Sequence, residues 1–302
     1  EGKTIESGES KIFFTRPQHE YTKKLLNASK QIENSKFYSN HEINKILNVE
    51  NLNKNFNLPG SNEPLKAVND LSFSLNEGEI FGIAGESGSG KTTVANLLMG
   101  LLEVNSGKIT FINKEINQYL KYEKKNFRKN IQMVFQDPYG SLNPRKTIGT
   151  TLSLAIKIHF KLSEDEIKNK VFELLEKVEL TPPEVFYERH PHELSGGQQQ
   201  RVAIARAIST EPKLIISDEA VASLDMSIRS EILKLLKKIN IETKVSMIMI
   251  SHDLSVLKNM CNRIAIMHLG KIVEIGDKEK ILGSPQHNYT KKLISATLEI
   301  PN

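Results

Sequence analysis

The chain has 302 residues, a hydrophobic fraction of 38%, a net charge of +5 and a pI of about 9.0. These values predict a soluble protein of one large or two small domains. The single cysteine, Cys261, excludes an intramolecular disulfide, and its apolar surroundings predict a buried thiol. No apolar run approaches the roughly 20 residues that a membrane-spanning helix needs, so we expect any membrane association to come through a partner.

The start and the end of the chain repeat one another. The segment GKTIESGESKIFFTRPQHEYTKKLLNA, which begins at Gly2, aligns without gaps with GKIVEIGDKEKILGSPQHNYTKKLISA, which begins at Gly270. We therefore expect residues 1–28 to be the C-terminal tail of a preceding domain, residues 29–44 to be a linker and residues 45–302 to be a complete domain. A small tail motif duplicated within one protein is the alternative.

Hydrophobic patterning predicts alternating strands and helices along the second part of the chain. The predicted strands are residues 46–52, 67–75, 80–84, 131–135, 213–217 and 245–250, and the predicted helices are residues 93–101, 164–178, 199–209 and 228–240. Buried strands that alternate with helices indicate a parallel sheet covered on both faces.

A glycine-rich loop, GESGSGKT, follows the third predicted strand and precedes a helix. It fits the phosphate-binding pattern G-x-x-x-x-G-K-[ST], in which glycines let backbone N–H groups approach phosphate and the helix N-terminus adds positive potential. We expect Lys91 to reach the β and γ phosphates and the Thr92 hydroxyl to bind Mg²⁺. The predicted nucleotide-binding residues of this segment are Gly85, Ser87, Gly88, Ser89, Gly90, Lys91, Thr92 and Thr93.

Two later strands end in residues suited to hydrolysis. Asp218 and Glu219 follow one apolar strand, and His252 follows the next. We expect Asp218 to bind Mg²⁺, Glu219 to orient or deprotonate the attacking water, and His252 to contact the γ-phosphate or hold Glu219. Taken alone, these residues also fit a solvated acidic turn and a structural histidine.

The segment Leu194 to Gln198, LSGGQ, resembles the signature motif of the ATP-binding-cassette (ABC) family. A Ser-Gly-Gly turn that opens a helix is a second anion site, and Ser195 also fits an ordinary helix cap. The resemblance implies that four residues contact the γ-phosphate held by a partner cassette: Ser195, Gly196, Gly197 and Gln198.

The resemblance covers roughly residues 45–302 and implies roles for other residues. Gln136 resembles the Q-loop glutamine, which binds Mg²⁺ and senses the water, and Asp225 resembles the D-loop aspartate at the partner site. His252 resembles the switch histidine, and Phe56 is the candidate that stacks on adenine, with a plain core residue as the alternative. The family commonly has proline where this chain has Ala220; we expect activity to survive because no chemical group is lost.

The same resemblance implies the fold class and the cofactors. The fold is expected to be an α/β P-loop NTPase cassette with a parallel-sheet core, an antiparallel β subdomain and an α-helical subdomain at about residues 137–210. ATP and Mg²⁺ are the implied cofactors, with Glu219, His252 and Gln136 as catalytic residues and Thr92, Gln136 and Asp218 as metal ligands.

Three phrases resemble the motor subunits of oligopeptide, dipeptide and nickel importers: FQDPYGSLNPR at Phe135–Arg145, HPHELSGGQQQRVAIAR at His190–Arg206 and SPQHNYTKKL at Ser284–Leu293. This branch implies a second ABC cassette, two transmembrane permease subunits and an extracytoplasmic solute-binding protein as partners. It also implies a peripheral location on the cytoplasmic side of the membrane. Some members of this branch carry a cysteine cluster beyond the tail; the tail of this chain holds no cysteine, so we expect no iron–sulfur centre. The sequence does not distinguish between peptide, nickel and metal-chelate cargo.

Two other functions use the same motifs. A soluble ABC ATPase acting on nucleic acid or the ribosome is the first, but we find no Lys/Arg stripe with interleaved aromatics and expect no direct nucleic-acid contact. A nucleotide-dependent regulator with little turnover is the second, and the presence of both Glu219 and His252 argues against it.

Overall fold

The computed structural model describes residues 5–7, 18–20, 22–23, 44–57, 59–60 and 63–296. Within these ranges the strands are β1 (Lys45–Phe56), β2 (Leu65–Asn76), β3 (Ile80–Ala84), β4 (Ser106–Phe111), β5 (Lys114–Glu115), β6 (Ile131–Val134), β7 (Leu214–Asp218), β8 (Ser246–Ser251), β9 (Arg263–His268) and β10 (Lys271–Asp277). The helices are α1 (Lys91–Leu98), α2 (Ile116–Tyr122), α3 (Lys124–Asn130), α4 (Pro138–Ser141), α5 (Ile148–His159), α6 (Glu164–Lys177), α7 (Pro183–Glu188), α8 (Gly196–Ile208), α9 (Met226–Thr243), α10 (Leu254–Met260), α11 (Lys278–Gly283) and α12 (Asn288–Ser295).

The smaller sheet is antiparallel and has the strand order β2-β1-β4-β5. In β2 the buried residues Leu71, Phe73 and Leu75 alternate with the more exposed Ser72 and Ser74, as expected for a sheet with one solvated face. The buried face joins helix α1 in a continuous apolar cluster. This sheet therefore covers one side of the loop that leads into α1.

The larger sheet has the order β10-β9-β3-β8-β7-β6, and its strands are parallel except for the edge strand β10. Every residue of β3, β7 and β8 is buried, which is typical of parallel strands covered on both faces. Ala84 pairs with Ser251, and Asp218 pairs with Ile250. The loops after β3, β7 and β8 consequently emerge side by side at the carboxyl edge of the sheet.

A helical layer formed by α4 to α8 lies between β6 and β7 in the chain. Helix α6 begins with a capping box in which Ser163 and Glu166 bond each other's backbone N–H groups, and its residues Ile167, Val171 and Leu175 are buried. These side chains join α5, α8 and α9 in the second apolar cluster. The predicted α/β class with two sheets and a helical part is confirmed.

Most predicted elements are present with shifted ends. The helix predicted at 199–209 begins at Gly196, because Ser195 accepts a hydrogen bond from Gln198 N and caps it. The helix predicted at 93–101 ends at Leu98, before Gly100 adopts a left-handed φ of 60°. Strands β4, β5, β9 and β10, helix α5 and several short helices were not predicted.

The two repeated segments make the same hydrogen bonds. Glu6 accepts from the backbone N–H groups of Gln18 and His19 at 2.7 and 3.1 Å. Glu274, 268 residues later, accepts from the same positions of the second copy at 2.8 and 3.0 Å. The proposed tail boundary at residue 28 and nearly all of the proposed linker fall in residues 24–43, which lie outside the described residues, so the domain division remains a prediction.

Two expectations from composition can be compared with the fold. Cys261 is fully buried, as predicted, and burial raises the pKa of its thiol well above its ordinary value. In the part of the chain that the structure describes, no helix is both long enough and apolar enough to cross a membrane.

Candidate functional site

The glycine-rich loop predicted from the sequence connects β3 to α1 at the carboxyl edge of the parallel sheet. Gly90 has a φ of 103°, and a Cβ atom at this position would lie 2.1 Å from the Ala67 carbonyl oxygen. Only glycine fits there, because the small sheet packs directly against the loop. The next residues form helix α1, so its N-terminal N–H groups face the same edge.

Lys91 lies inside this loop with 5% of its surface exposed. Its Nζ atom donates hydrogen bonds to the carbonyl oxygens of Gly85 and Glu86, each at 2.8 Å. Burial lowers the pKa of Lys91, while the charges of Glu219 and Asp218 oppose that shift. Two backbone carbonyl oxygens thus hold the ammonium group, and a bound phosphate would take their place as its hydrogen-bond partner.

Asp218 is the last residue of β7 and is 7% exposed. Its Oδ1 atom is buried and has no hydrogen-bond partner among the described residues. Burial raises the pKa of this carboxyl; the Thr92 side chain and the Lys91 charge oppose the shift, and the Glu219 charge adds to it. A buried carboxylate oxygen without a partner is costly, which indicates that a ligand completes this position.

Glu219 and His252 form a pair across the same edge. The Nδ1 atom of His252 lies 3.0 Å from Glu219 Oε1. Glu219 adopts a left-handed φ of 48°, unusual for a residue with a side chain, and its N–H donates to the Ile250 carbonyl at 3.0 Å. The strained backbone aims the carboxylate toward the histidine, so the pair can hold and deprotonate a water molecule.

Gln136 lies two residues beyond β6 in an exposed segment. Its carbonyl oxygen is 3.5 Å from the hydroxyl of Ser223, and Asp225 follows Ser223 as the N-cap of α9. Asp225 Oδ1 accepts from Ile228 N at 3.0 Å, and this bond lowers the pKa of the carboxyl. The structure therefore joins the Gln136 and Asp225 segments by one long hydrogen bond.

The signature residues cap helix α8 in the helical layer. Ser195 and Gln198 exchange backbone-to-side-chain hydrogen bonds of 3.0 and 3.3 Å. A Cβ atom on Gly197 would lie 2.6 Å from an Ile228 methyl group, whereas one on Gly196 would meet only Leu224 at 4.0 Å. No hydrogen bond joins residues 195–198 to the phosphate loop, both of which the structure describes.

Phe56 is half-buried at the end of β1, where it pairs with Leu65. The Lys54 ammonium lies 5.3 Å from the centre of its ring. The ring is therefore accessible on the small sheet, and its stacking on adenine stays a prediction.

Comparison with known proteins tests the resemblance. A family model described as "ABC transporter" matches residues 68–222, about half of the chain, across the phosphate loop, the signature and the Asp218–Glu219 pair. The chain belongs to the ABC transporter family. A second model, described as "Oligopeptide/dipeptide transporter, C-terminal region", matches residues 5–55 and 273–302 and confirms the predicted branch.

Curated relatives of this cassette are ATP-binding proteins named for transport or import. The chain is 45% identical to "Oligopeptide transport ATP-binding protein OppF" of Haemophilus influenzae, over 78% of this chain and 70% of that protein. It is 37% identical to "Glutathione import ATP-binding protein GsiA" of Escherichia coli K12, over 98% of this chain and 52% of that protein. The chain thus spans about half the length of GsiA. These names do not favour the nucleic-acid alternative.

Solved structures confirm the cassette fold. CbiO1 of Clostridium perfringens, described as part of an ABC transporter complex, matches with a TM-score of 0.70 at 31% identity, over 80% of this chain and 92% of that chain. The ATP-binding cassette MJ0796, solved as a dimer bound to ADP and Pi, matches with a TM-score of 0.69 at 30% identity, over 77% of this chain and 98% of that chain.

Sequence reasoning missed two contacts of this cassette. The Tyr289 hydroxyl accepts a hydrogen bond from Glu86 N in the phosphate loop at 3.2 Å. Arg206, near the end of α8, donates to the carbonyl oxygen and the hydroxyl of Ser141, the last residue of α4. Tyr289 lies in the repeated segment, but the repeat did not indicate that its hydroxyl contacts the phosphate loop.

Proposed function

We propose that this cassette hydrolyses ATP and powers a membrane importer of peptides or a related small solute, such as nickel or a metal chelate. The observation that carries the proposal is the Glu219–His252 pair, 3.0 Å apart, at the same edge as the buried Lys91 and Asp218. The names of OppF and GsiA support peptide-like cargo.

The residues around Asp218 fit a magnesium ion. Asp218 Oδ1 is a buried oxygen that no described residue bonds, and the Thr92 side chain lies close enough to affect the pKa of this carboxyl. Carboxylate, hydroxyl and amide oxygens are the ligands that Mg²⁺ prefers, so Asp218, Thr92 and Gln136 would hold it. Bound there, the ion would neutralise charge on the β and γ phosphate oxygens.

The side chains divide the work of hydrolysis between them. The phosphate loop and the N-terminus of α1 would bind the phosphates, and Lys91 would exchange its carbonyl partners for phosphate oxygens. Glu219 would accept a proton from the attacking water, and His252 would hold the Glu219 carboxylate through Nδ1. The exposed face of His252 leaves its other ring nitrogen available for the γ-phosphate.

Two cassettes would close head to tail, so that residues 195–198 of one contact the nucleotide of the other. The capped turn at Ser195 supports this because it leaves Gly196 exposed at a helix N-terminus, ready for an anion. Asp225 would contribute at the same seam. Phe135 and Tyr139, 39% and 53% exposed beside Gln136, would contact a permease subunit.

The partners and location follow from this assembly. We propose two transmembrane permease subunits, an extracytoplasmic solute-binding protein reached through them, and a peripheral position on the cytoplasmic side of the membrane. The matched hydrogen bonds at Glu6 and Glu274 support a tandem origin, in which residues 1–28 belong to a preceding cassette.

ATP hydrolysis by the wild type and by Glu219→Gln, each over a wide range of protein concentrations, tests the proposal. We expect the wild-type rate per chain to rise with concentration, because the signature acts in trans. We expect Glu219→Gln to bind ATP but to hydrolyse it roughly 100- to 1,000-fold more slowly. A wild-type rate per chain that does not depend on concentration would contradict the head-to-tail arrangement, and an active Glu219→Gln would contradict the assigned base.

A further inference from the structure

Helix α12 contacts the phosphate loop through one side chain. Tyr289 Oη accepts from the backbone N–H of Glu86 at 3.2 Å, although the two residues are 203 positions apart. The Tyr289 ring also stacks on His268, with centroids 3.8 Å apart and planes inclined by 25°. Since His268 ends β9, the ring is fixed against the parallel sheet while its hydroxyl reaches the loop.

The backbone of Glu86 connects Tyr289 to Lys91, the lysine proposed to bind the phosphates. The Glu86 carbonyl oxygen accepts from Lys91 Nζ at 2.8 Å and from Ser89 N at 3.2 Å. The Ser89 carbonyl in turn accepts from Gly270 N at 3.0 Å, in the turn between β9 and β10. Helix α12 and this turn therefore hold the outer side of the loop. The Glu86 residue that α12 contacts is also a hydrogen-bond partner of Lys91.

The position of Tyr289 is itself fixed by the start of α12. Glu274 on β10 accepts from Gln286 N and His287 N at 2.8 and 3.0 Å, and His287 Nδ1 accepts from Tyr289 N at 3.1 Å. Thr290, the next residue, is fully buried. A rigid helix start directs the tyrosine, so its hydroxyl meets Glu86 without a large loss of side-chain entropy.

We propose that Tyr289 is a positioning residue that orients the backbone of Glu86 and thereby presets the phosphate loop and Lys91 for nucleotide. This makes the affinity for ATP depend on the segment from Glu274 to Tyr289, which lies outside the part matched by the ABC transporter model. The proposal rests on the nucleotide site proposed above.

Tyr289→Phe tests it, because the variant keeps the ring stacked on His268 and removes only the hydroxyl. Because the variant loses one hydrogen bond that presets the loop, we expect its Kd for ATP to be about threefold to tenfold higher than that of the wild type. KM should rise by the same factor, and kcat should change little. Amide hydrogen exchange in residues 85–90 should quicken. Tyr187→Phe, at a half-buried tyrosine in the same apolar cluster but remote from the loop, should change none of these values.

The repeat supplies a second matched pair. Glu274→Ala should free the start of α12 and weaken ATP binding in the same direction, whereas Glu6→Ala, which removes the same interaction from the first copy, should not. A lower melting temperature for Tyr289→Phe with unchanged Kd and KM would show a merely structural role and overturn the proposal. Failure of the wild type to bind ATP would instead overturn the nucleotide site itself.

Discussion

At the residue scale, the site holds two buried charged side chains, Lys91 and Asp218, that have few hydrogen-bond partners. Burial lowers the pKa of Lys91 and raises that of Asp218, so each is less stable in its charged form than it would be in water. Lys91 is compensated by two carbonyl oxygens, but Asp218 Oδ1 has no described partner. Burying the Asp218 carboxylate therefore destabilises the fold, and a bound ligand would offset this loss of stability.

Replacing Asp218 by asparagine should stabilise the nucleotide-free protein while reducing hydrolysis. The variant removes a buried carboxylate charge, which we expect to stabilise the fold by about 1 kcal/mol, or roughly 2–4 °C in Tm, without magnesium or nucleotide. The loss of the magnesium ligand should slow ATP hydrolysis by roughly 100-fold. Thermal unfolding and steady-state turnover measure the two effects.

Asp253→Asn is the matched control for stability. Its carboxylate accepts from Arg229 Nη1 at 3.1 Å and from Ser255 N at 2.9 Å, so removing its charge should lower Tm. A Tm for Asp218→Asn that falls as far as that of Asp253→Asn would mean that Asp218 has a stabilising partner already.

At the scale of elements, Arg206 links the signature helix α8 to the short helix α4 that follows Gln136. Arg206 is half-buried, and burial lowers the pKa of its guanidinium, which donates to both the carbonyl and the hydroxyl of Ser141. Ser141 Oγ donates onward to the Pro138 carbonyl at 2.8 Å. Because α8 begins at the signature turn, this contact connects the proposed partner-nucleotide surface with the proposed permease-facing segment.

Arg206→Met should lower stability without touching the phosphate loop. It leaves the Ser141 carbonyl without its charged donor, at an expected cost of about 2 kcal/mol and a Tm lower by roughly 4–8 °C. ATP affinity should not change, since Lys91 and its partners lie elsewhere. Arg145→Met, at an exposed arginine in the same region, should shift Tm by less than about 1 °C. Equal Tm values for both variants would contradict the assigned link.

The elements also show what the sequence could predict. Strands β3, β7 and β8 were predicted within one residue of their ends, because fully apolar runs bounded by turns specify buried parallel strands. Helix α5 was missed because its buried residues are few among threonines and glycine, and β10 was missed because none of its residues is buried. The four central residues of β9 are a buried apolar run that was not assigned to a strand.

In the candidate site, too, local motifs could be predicted from the sequence, whereas contacts between distant residues could not. Gly85 to Thr92, Asp218, Glu219 and His252 were predicted because each motif sits at a strand end, and strand ends of one parallel sheet meet. The bonds of Tyr289 to Glu86 and of Arg206 to Ser141 could not be predicted, because they join side chains to backbone atoms across 203 and 65 positions. No local pattern encodes such a pairing.

At the scale of the whole molecule, the proposed function gives the chain two half-sites for nucleotide, which it would not complete alone. Its phosphate loop lies at the carboxyl edge of the sheet, and its signature turn lies in the helical layer with no hydrogen bond to that loop. A second cassette, separate or fused, would supply the missing half of each site.

The measurement that tests this account most directly mixes two inactive variants. Lys91→Ala should disable the phosphate loop, and Gly196→Asp should place a negative charge at the signature turn, where the Cβ atom would meet only Leu224 at 4.0 Å and the fold should survive. Each variant alone should hydrolyse almost no ATP. Together they would form one intact composite site in each mixed dimer, so an equimolar mixture should recover up to about a quarter of the wild-type rate. A mixture no more active than either variant alone, or a fully active Gly196→Asp protein, would contradict the account.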